Sequence, residues 1–401
     1  MRLPVVSQVM KLMQRLGTLL KPIAEPVVNF NDGPTVNNPQ GNPEVQVGFF
    51  VGDHCVYETA IKANEWAKAG LKYLVDWRIE ISAFGGLFRK TYYFDPAYRN
   101  VRINIDSRSL GDTLAWVPQV AAFKECHPNC NVYLSTFWDD FEFQKSYPKL
   151  EFIRPDEDLE NCYAVFNLGF FFGDIPDRHP VDPRTVPLAQ VASDILGIRY
   201  EEQKPVLPAG TATVPTSDPY VCIATTSTAA CKHWLYEDGW QTLVDYLEER
   251  GLRTVVIQKE KTDLRNVIDS TGDFPITRRI TELDSCEFFI GLGSGLSWLA
   301  WAVSKPVVLI SGFSQSFAEF EDRCIRVSDP NACNGCWNDS AYSFDRKNWD
   351  WCPRHEGSDR QHECAYSISP EMVMSKIAPL LLAIETRYNL SQTKGDHNVF
   401  A

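Results

Sequence analysis

The sequence predicts an α/β protein: two Rossmann-like units in tandem, an N-terminal antiparallel β domain ahead of them, and a four-cysteine metal-binding insertion behind. Three observations predict it. The hydrophobic period is two from Glu44 to about Phe94, the pattern of half-buried strands. From residue 99 short apolar runs alternate with helical patterns, twice over, with a proline-rich stretch between the two series. Four cysteines, Cys333, Cys336, Cys352 and Cys364, then fall in a loop-rich segment, the first two spaced as Cys-x2-Cys.

Residues 1–43 read as a leader helix and loop. Val5, Val9, Leu12, Leu16 and Leu19 recur at helical spacing among Arg2, Lys11, Arg15 and Lys21, with no acid in the first 24 residues. That pattern suits a membrane-surface helix, a docking arm or a leader packed on its own domain, and its charges interrupt the apolar run too often for a signal peptide. Residues 25–43, rich in Pro, Asn and Gly, read as loop.

The antiparallel β domain spans 44–98. Val45, Val47 and Phe49 alternate with polar partners, as do Tyr73, Val75, Trp77, Ile79 and Ile81, and Gly85-Gly86 ahead of Leu87–Phe94 is a hairpin signal. The first Rossmann-like unit spans 99–200, with strands at Val101–Ile105, Asn131–Ser135 and Cys162–Phe172 and helices at Asp112–Lys124 and Val186–Ile198. Four prolines mark 201–219 as a linker. The second unit, 220–323, has strands at Tyr220–Ala224, Arg253–Gln258, Phe288–Leu292 and Pro306–Ile310 and helices at Gly239–Arg250 and Leu296–Val303. The insertion occupies 324–368, and 369–401 is a closing helix and tail with Met372, Ile377, Leu380, Leu381 and Ile384 on one face. Two such units joined by a linker suggest a cleft enzyme of the GT-B type.

Composition narrows the function. The net charge of -13 over 401 residues disfavours nucleic acid. The longest apolar run, Leu296–Val303, falls far short of the ~20 residues a membrane-spanning helix needs, so no stable membrane insertion is expected. Twelve cysteines without a signal peptide point to free thiols and a metal site in a reducing compartment rather than a disulfide scaffold.

Four constellations carry chemistry. Ser109-Leu110-Gly111-Asp112 lies between a strand and a helix, where α/β sheets bind ligands. Gly111 permits close backbone approach, and the helix start keeps Asp112 ionised, able to take a proton from an attacking hydroxyl; an Asp there is also an ordinary cap. Thr225-Thr226-Ser227-Thr228, followed by Lys232-His233-Trp234, offers hydroxyls and amides for a diphosphate and one cation for a leaving group; the plainer reading is a polar turn with a solvated lysine. Gly291-Leu292-Gly293-Ser294-Gly295 opens a helix and is a weak anion-site signal alone. Cys333, Cys336, Cys352 and Cys364 suit one tetrahedral ion, zinc or a single iron, with His355 or His362 able to replace a thiolate. Asp156-Glu157-Asp158 reads as an acidic surface loop, Cys126 and Cys130 as structural, and His54, His179 and His397 have no evident partner.

In this order the motifs resemble the bacterial autotransporter heptosyltransferase family. The matching stretches run from Phe30-Asn31-Asp32-Gly33 to about residue 390: SLGDTLAWVP at 109–118, CIATTST at 222–228, FFIGLGSGLSWLAWA at 288–302, PVVLISGFS at 306–314 and the block Cys333 to Cys364. A more distant resemblance is to lipopolysaccharide heptosyltransferases, whose Asp-Thr-Gly turn and later His appear here as Gly293-Ser294-Gly295 and Trp298, a departure that argues against a lipid-linked acceptor.

The resemblance implies ADP-heptose as donor and serine hydroxyls of an autotransporter passenger as acceptor. It implies Asp112 as general base, Lys232 as diphosphate contact, and Ser109, Leu110, Gly111, Thr225, Thr226, Gly293, Ser294, Gly295 and Trp298 as donor contacts. It also implies one iron on the four cysteines, a homo-oligomer as large as a dodecamer built through the β domain and the insertion, and a bacterial cytoplasmic location. The competing expectations are a lipopolysaccharide core heptosyltransferase and a non-catalytic assembly or binding module on the same fold.

Overall fold

The computed structural model describes residues 23–138, 143–210, 212–345 and 347–395. The expected leader helix falls almost wholly outside them, as does His397.

The chain enters through β1 (Val27–Asn31) and β2 (Thr35–Asn37), and continues with β3 (Val45–Val51), β4 (His54–Ile61), β5 (Trp66–Lys68), β6 (Trp77–Ala83) and β7 (Phe88–Tyr93). Strands β4-β3-β6-β7, in that order, form a four-stranded antiparallel sheet. Its alternation is clean in β6, where Trp77, Ile79, Ile81 and Ala83 are buried and the residues between them are not. The expected alternation from Tyr73 does not hold: Trp77 N donates to Val75 O at 2.8 Å, a tight turn that starts the strand at Trp77.

The first α/β unit adds β8 (Asn100–Ile105), helix α1 (Leu110–Cys126), β9 (Asn131–Ser135), β10 (Glu151–Ile153), β11 (Cys162–Leu168) and helix α2 (Leu188–Ile195). Its sheet has seven strands in the order β10-β9-β8-β11-β1-β2-β5. This corrects two expectations. Residues 25–43 are not loop throughout, because β1 and β2 lie there and β1 runs parallel to β11 with Phe30 opposite Ala164. The segments before and after residue 98 also share this sheet, because β1, β2 and β5 extend it. Phe30, with Phe94 and Tyr163 at ring distances of 5.1 and 5.4 Å, anchors that join.

The second unit contains β12 (Tyr220–Ile223), α3 (Gly239–Glu248), β13 (Arg253–Val256), β14 (Ile268–Asp269), α4 (Ile276–Asp284), β15 (Phe289–Gly291), α5 (Gly295–Ala302), β16 (Val307–Ile310) and β17 (Cys324–Val327). All six strands are parallel, in the order β14-β13-β12-β15-β16-β17. The direction of winding therefore reverses between β12 and β15, and in the first unit between β8 and β11. Cys324–Val327, expected in the insertion, is an edge strand of this sheet, paired with β16 from Val307 opposite Cys324. Helix α6 (Pro370–Gly395) closes the chain on the second unit, burying Val373, Ile377, Leu381 and Ile384.

One apolar core runs from the antiparallel sheet through the first unit and onto a face of the second sheet. The 201–219 segment has no regular structure yet stitches both units: Val206 N donates to Tyr147 OH at 2.8 Å, and Glu202 accepts from Glu321 N at 2.8 Å and Asp322 N at 3.1 Å. Among the described residues, no helix is long and apolar enough to cross a membrane.

Candidate functional site

In open α/β sheets ligands bind beyond the carboxyl ends of the strands, where the winding reverses. Ser109–Asp112 follows β8 at the first unit's reversal; Thr225–Thr228 follows β12 and Gly293–Gly295 follows β15 at the second. The topology thus puts three of the four sequence constellations at the two places where such sheets bind.

The starts of α1 and α5 touch. A Cβ on Gly295 would lie 2.9 Å from Leu110 Cβ and 3.2 Å from Gly111 N; a Cβ on Gly111 would lie 3.2 Å from the Trp298 ring and 3.6 Å from Gly295 Cα. At Gly295 a side chain would force the two helix N-termini apart, and at Gly111 it would crowd the Trp298 ring; each N-terminus carries unsatisfied amides and partial positive charge. Ser109 is the cap of α1: its Oγ accepts from Asp112 N at 3.5 Å, so the capping role falls to Ser109 and not to the Asp112 carboxylate.

The Thr-rich turn is held from two sides. Gln258 Oε1 accepts from Thr225 N at 2.6 Å and Thr225 Oγ1 at 2.9 Å, and Thr226 Oγ1 donates to Glu260 at 2.7 Å. Ser227 Oγ donates to Gly293 O at 3.4 Å, joining this turn to the glycine turn, and Ser227 N donates to His233 Nε2 at 3.1 Å. Lys232 ends a short 3-10 turn beside His233, with its ammonium 5.7 Å from the centre of the Phe313 ring. Asp112 and Lys232 thus sit on different units, linked by contacts from α1 through Gly295 and Gly293 to Ser227 and His233. Ser294 Oγ, between the two glycines, is buried without a hydrogen-bond partner. A buried hydroxyl left unpaired is costly, and a bound anion would satisfy it.

Trp298, an expected substrate contact, is 3% exposed and packs between Gly111, Trp301 and Phe320, with ring distances of 5.6 and 5.0 Å to the last two. Its bulk serves the seam between the units. Several polar groups at the site carry no motif in the sequence. Gln258 and Glu260 follow β13, and a Cβ on Gly293 would lie 3.1 Å from Glu319 Oε1, a carboxylate paired with Arg326 and Ser314. Gln258-Lys259-Glu260 stood at the end of an expected strand, which was the available signal. The Asp156–Asp158 loop is exposed, with Asp156 on Arg154 at 3.2 Å. His179, without an evident partner in sequence, is buried and accepts from Phe171 N at 3.4 Å; burial lowers its pKa to about 4.

The cysteine-bearing segment packs beside this site. Burial raises the Cys333 thiol, with Glu363 and the Cys352 thiol adding to it. Burial also pushes Cys336 to about 11, helped by Cys333 and Cys352 against an opposing Arg354, and Cys364 to about 12, helped by all three other thiols. Cys333, Cys336 and Cys364 are thus raised in part by neighbouring thiols, a donor set a thiophilic cation would relieve. His362, 8% exposed, donates its N–H to Cys352 Sγ at 3.4 Å, and its Nε2 is buried without a partner. Among the described residues, the group whose ligand atoms all lie within 4.8 Å of one another is Cys333, His355 and Glu363. A thiolate, an imidazole and a carboxylate meeting at one place are a donor set that fits a metal ion; the other three cysteines, expected as its ligands, are not part of that group.

Known proteins resemble this chain in sequence and fold. Residues 186–316 match the model of glycosyltransferase family 9 (heptosyltransferase). The autotransporter heptosyltransferase BAHTCr of Citrobacter rodentium is 35% identical over 385 residues, covering 92% of this chain and 93% of its own. Crystal structures of TibC from enterotoxigenic E. coli, an iron-containing dodecameric glycosyltransferase, superpose with TM-scores of 0.83 and, with ADP-D-β-D-heptose bound, 0.82. Both are 32% identical and cover 91% and 89% of this chain and 97% and 96% of theirs. The inactive autotransporter heptosyltransferase BimC of Burkholderia thailandensis is 33% identical, over 87% of this chain and 84% of its own.

Proposed function

Since the chain belongs to the autotransporter heptosyltransferase family, we propose that it transfers heptose from ADP-heptose to serine hydroxyls of an autotransporter passenger. The observation that supports this reading is the meeting of the α1 and α5 starts through Gly111 and Gly295, which brings the helix that carries Asp112 against the glycine turn of the other unit.

The proposed chemistry is one inverting displacement. The serine oxygen bonds to the anomeric carbon as the bond to the diphosphate oxygen breaks. Asp112 accepts the serine proton, and ADP leaves against the Lys232 ammonium, the amides opening α5 and the Ser294 hydroxyl. The Thr225 and Thr226 turn lines the nucleotide side. Fixed dipoles and one cation oppose the leaving charge. One iron on Cys333, Cys336, Cys352 and Cys364, with zinc as the alternative, supplies a structural crosslink when bound. His355, His362 and Glu363 are the neighbours able to enter its coordination. A homo-oligomer, as large as the dodecamer formed by TibC, follows from the likeness over nearly the whole chain. The free cysteines support a reducing, cytoplasmic site of action in a bacterium.

A non-catalytic role is the second reading, because the family includes an inactive member at comparable identity. The same variant pair separates the two. Asp112→Asn is expected to bind ADP-heptose as wild type does and to transfer at least 100-fold more slowly, the scale of a lost general base. Lys232→Ala is expected to weaken ADP binding measurably and to slow transfer. Transfer by Asp112→Asn at the wild-type rate removes Asp112 from the reaction; absence of transfer by wild type with any passenger leaves the binding-module reading.

A further inference from the structure

We propose that the cysteine-bearing segment is the positioning device for Lys232, with Phe313 as the residue that aims the ammonium. This rests on Lys232 being the diphosphate contact.

Lys232 pairs with no carboxylate among the described residues; its ammonium lies over the Phe313 ring at 5.7 Å. The negative face of an aromatic ring holds a cation in place without neutralising it, which leaves the charge available to a diphosphate. Phe313 is itself 7% exposed and packs on Trp337 and Trp351, at ring distances of 5.8 and 6.0 Å. Both tryptophans belong to the cysteine-bearing segment. The backbone around Phe313 is fastened to that segment as well. Gly335 N donates to Gly312 O at 2.8 Å, Trp337 N donates to Phe313 O at 3.1 Å, and a Cβ on Gly312 would lie 2.5 Å from Cys364 Cβ.

The same segment grips the lysine's own turn. Cys231, one residue before Lys232, is buried in one apolar cluster with Phe313, Cys336 and Trp351. Ala230 N donates to Trp349 O at 3.2 Å, Leu235 N to Ala365 O at 3.1 Å, and Trp234 Nε1 to Ile368 O at 2.7 Å. The His233 ring, which holds Ser227, meets Trp349 edge-on at 5.9 Å. Both the ammonium's seat and the turn that carries it are therefore built on one segment, so order in that segment sets where the charge points.

The test is a double-mutant cycle on the full-length protein, read as ADP affinity by calorimetry, with metal content and assembly mass measured alongside. Phe313→Leu is expected to keep metal and assembly and to weaken ADP binding roughly tenfold, the upper range for a desolvated cation–ring contact. Phe313→Tyr, which keeps the ring, is expected to restore it. In a Lys232→Ala background, Phe313→Leu is expected to change nothing further. Wild-type ADP affinity in Phe313→Leu, or an equal loss with and without Lys232, overturns the proposal. Phe313→Met carries the same comparison should the Leu variant not fold. Undiminished ADP affinity and transfer in Lys232→Ala alone overturns the reading of Lys232 beneath it, a separate and distinguishable failure.

Discussion

At Gly295 the site depends on one missing methyl group. A side chain there meets Leu110 Cβ at 2.9 Å and the Gly111 amide at 3.2 Å, and backbone cannot yield as a flexible side chain can. Gly295→Ala is expected to destabilise by about 1–3 kcal/mol, the usual cost of overpacking, measured as a lower Tm. Transfer should fall by more than the lost stability explains, because the methyl group pushes α1 and Asp112 away from the glycine turn. The glycines and hydroxyls of this site were legible in the sequence because their spacing between strand and helix is itself the signal. Glu319 and Arg326 were not. Their pairing beside Gly293 depends on β16 and β17 being neighbours of β15, which spacing along the chain does not encode. The packing of Trp298 was not legible either: it follows the glycine turn closely, and helical geometry turns it into the seam between units.

Among the elements, long apolar-periodic ones were read to within a few residues, and polar or short ones were missed. Helix α4 escaped notice because Arg279 and Glu282 are buried as an ion pair at 2.7 Å, so its inward face looks charged. Strands β1, β2 and β5 have only three to five residues each and gain their order from β11 and from one another. The cysteine spacing made a metal site the expectation for this segment, but not its contacts with the Lys232 turn, since those lie in its tryptophans and backbone. A cation bound by the cysteines would tie together a loop-rich segment that has little regular structure of its own. Cys336→Ser is therefore expected to lose most bound metal and to speed hydrogen exchange at residues 229–236 as well as at 333–366. Metal content equal to wild type in that variant contradicts the four-cysteine ligand set.

Over the whole molecule, the helices that leave the two winding reversals meet at their starts, and one apolar core runs through both units. The tandem α/β plan was visible in sequence because the pattern changes twice, at residue 99 and across 201–219. The merging of β1, β2 and β5 into the first sheet was not, because sheet membership is a long-range property. Heptosyl transfer to a passenger is the central claim, and intact-mass analysis of a passenger co-expressed with this protein in cells that make ADP-heptose tests it most directly. The expected result is a ladder of mass additions of one heptose residue each, about 192 Da by the atoms transferred in the displacement, absent with Asp112→Asn. An unmodified passenger beside folded, metal-loaded wild-type protein would contradict it.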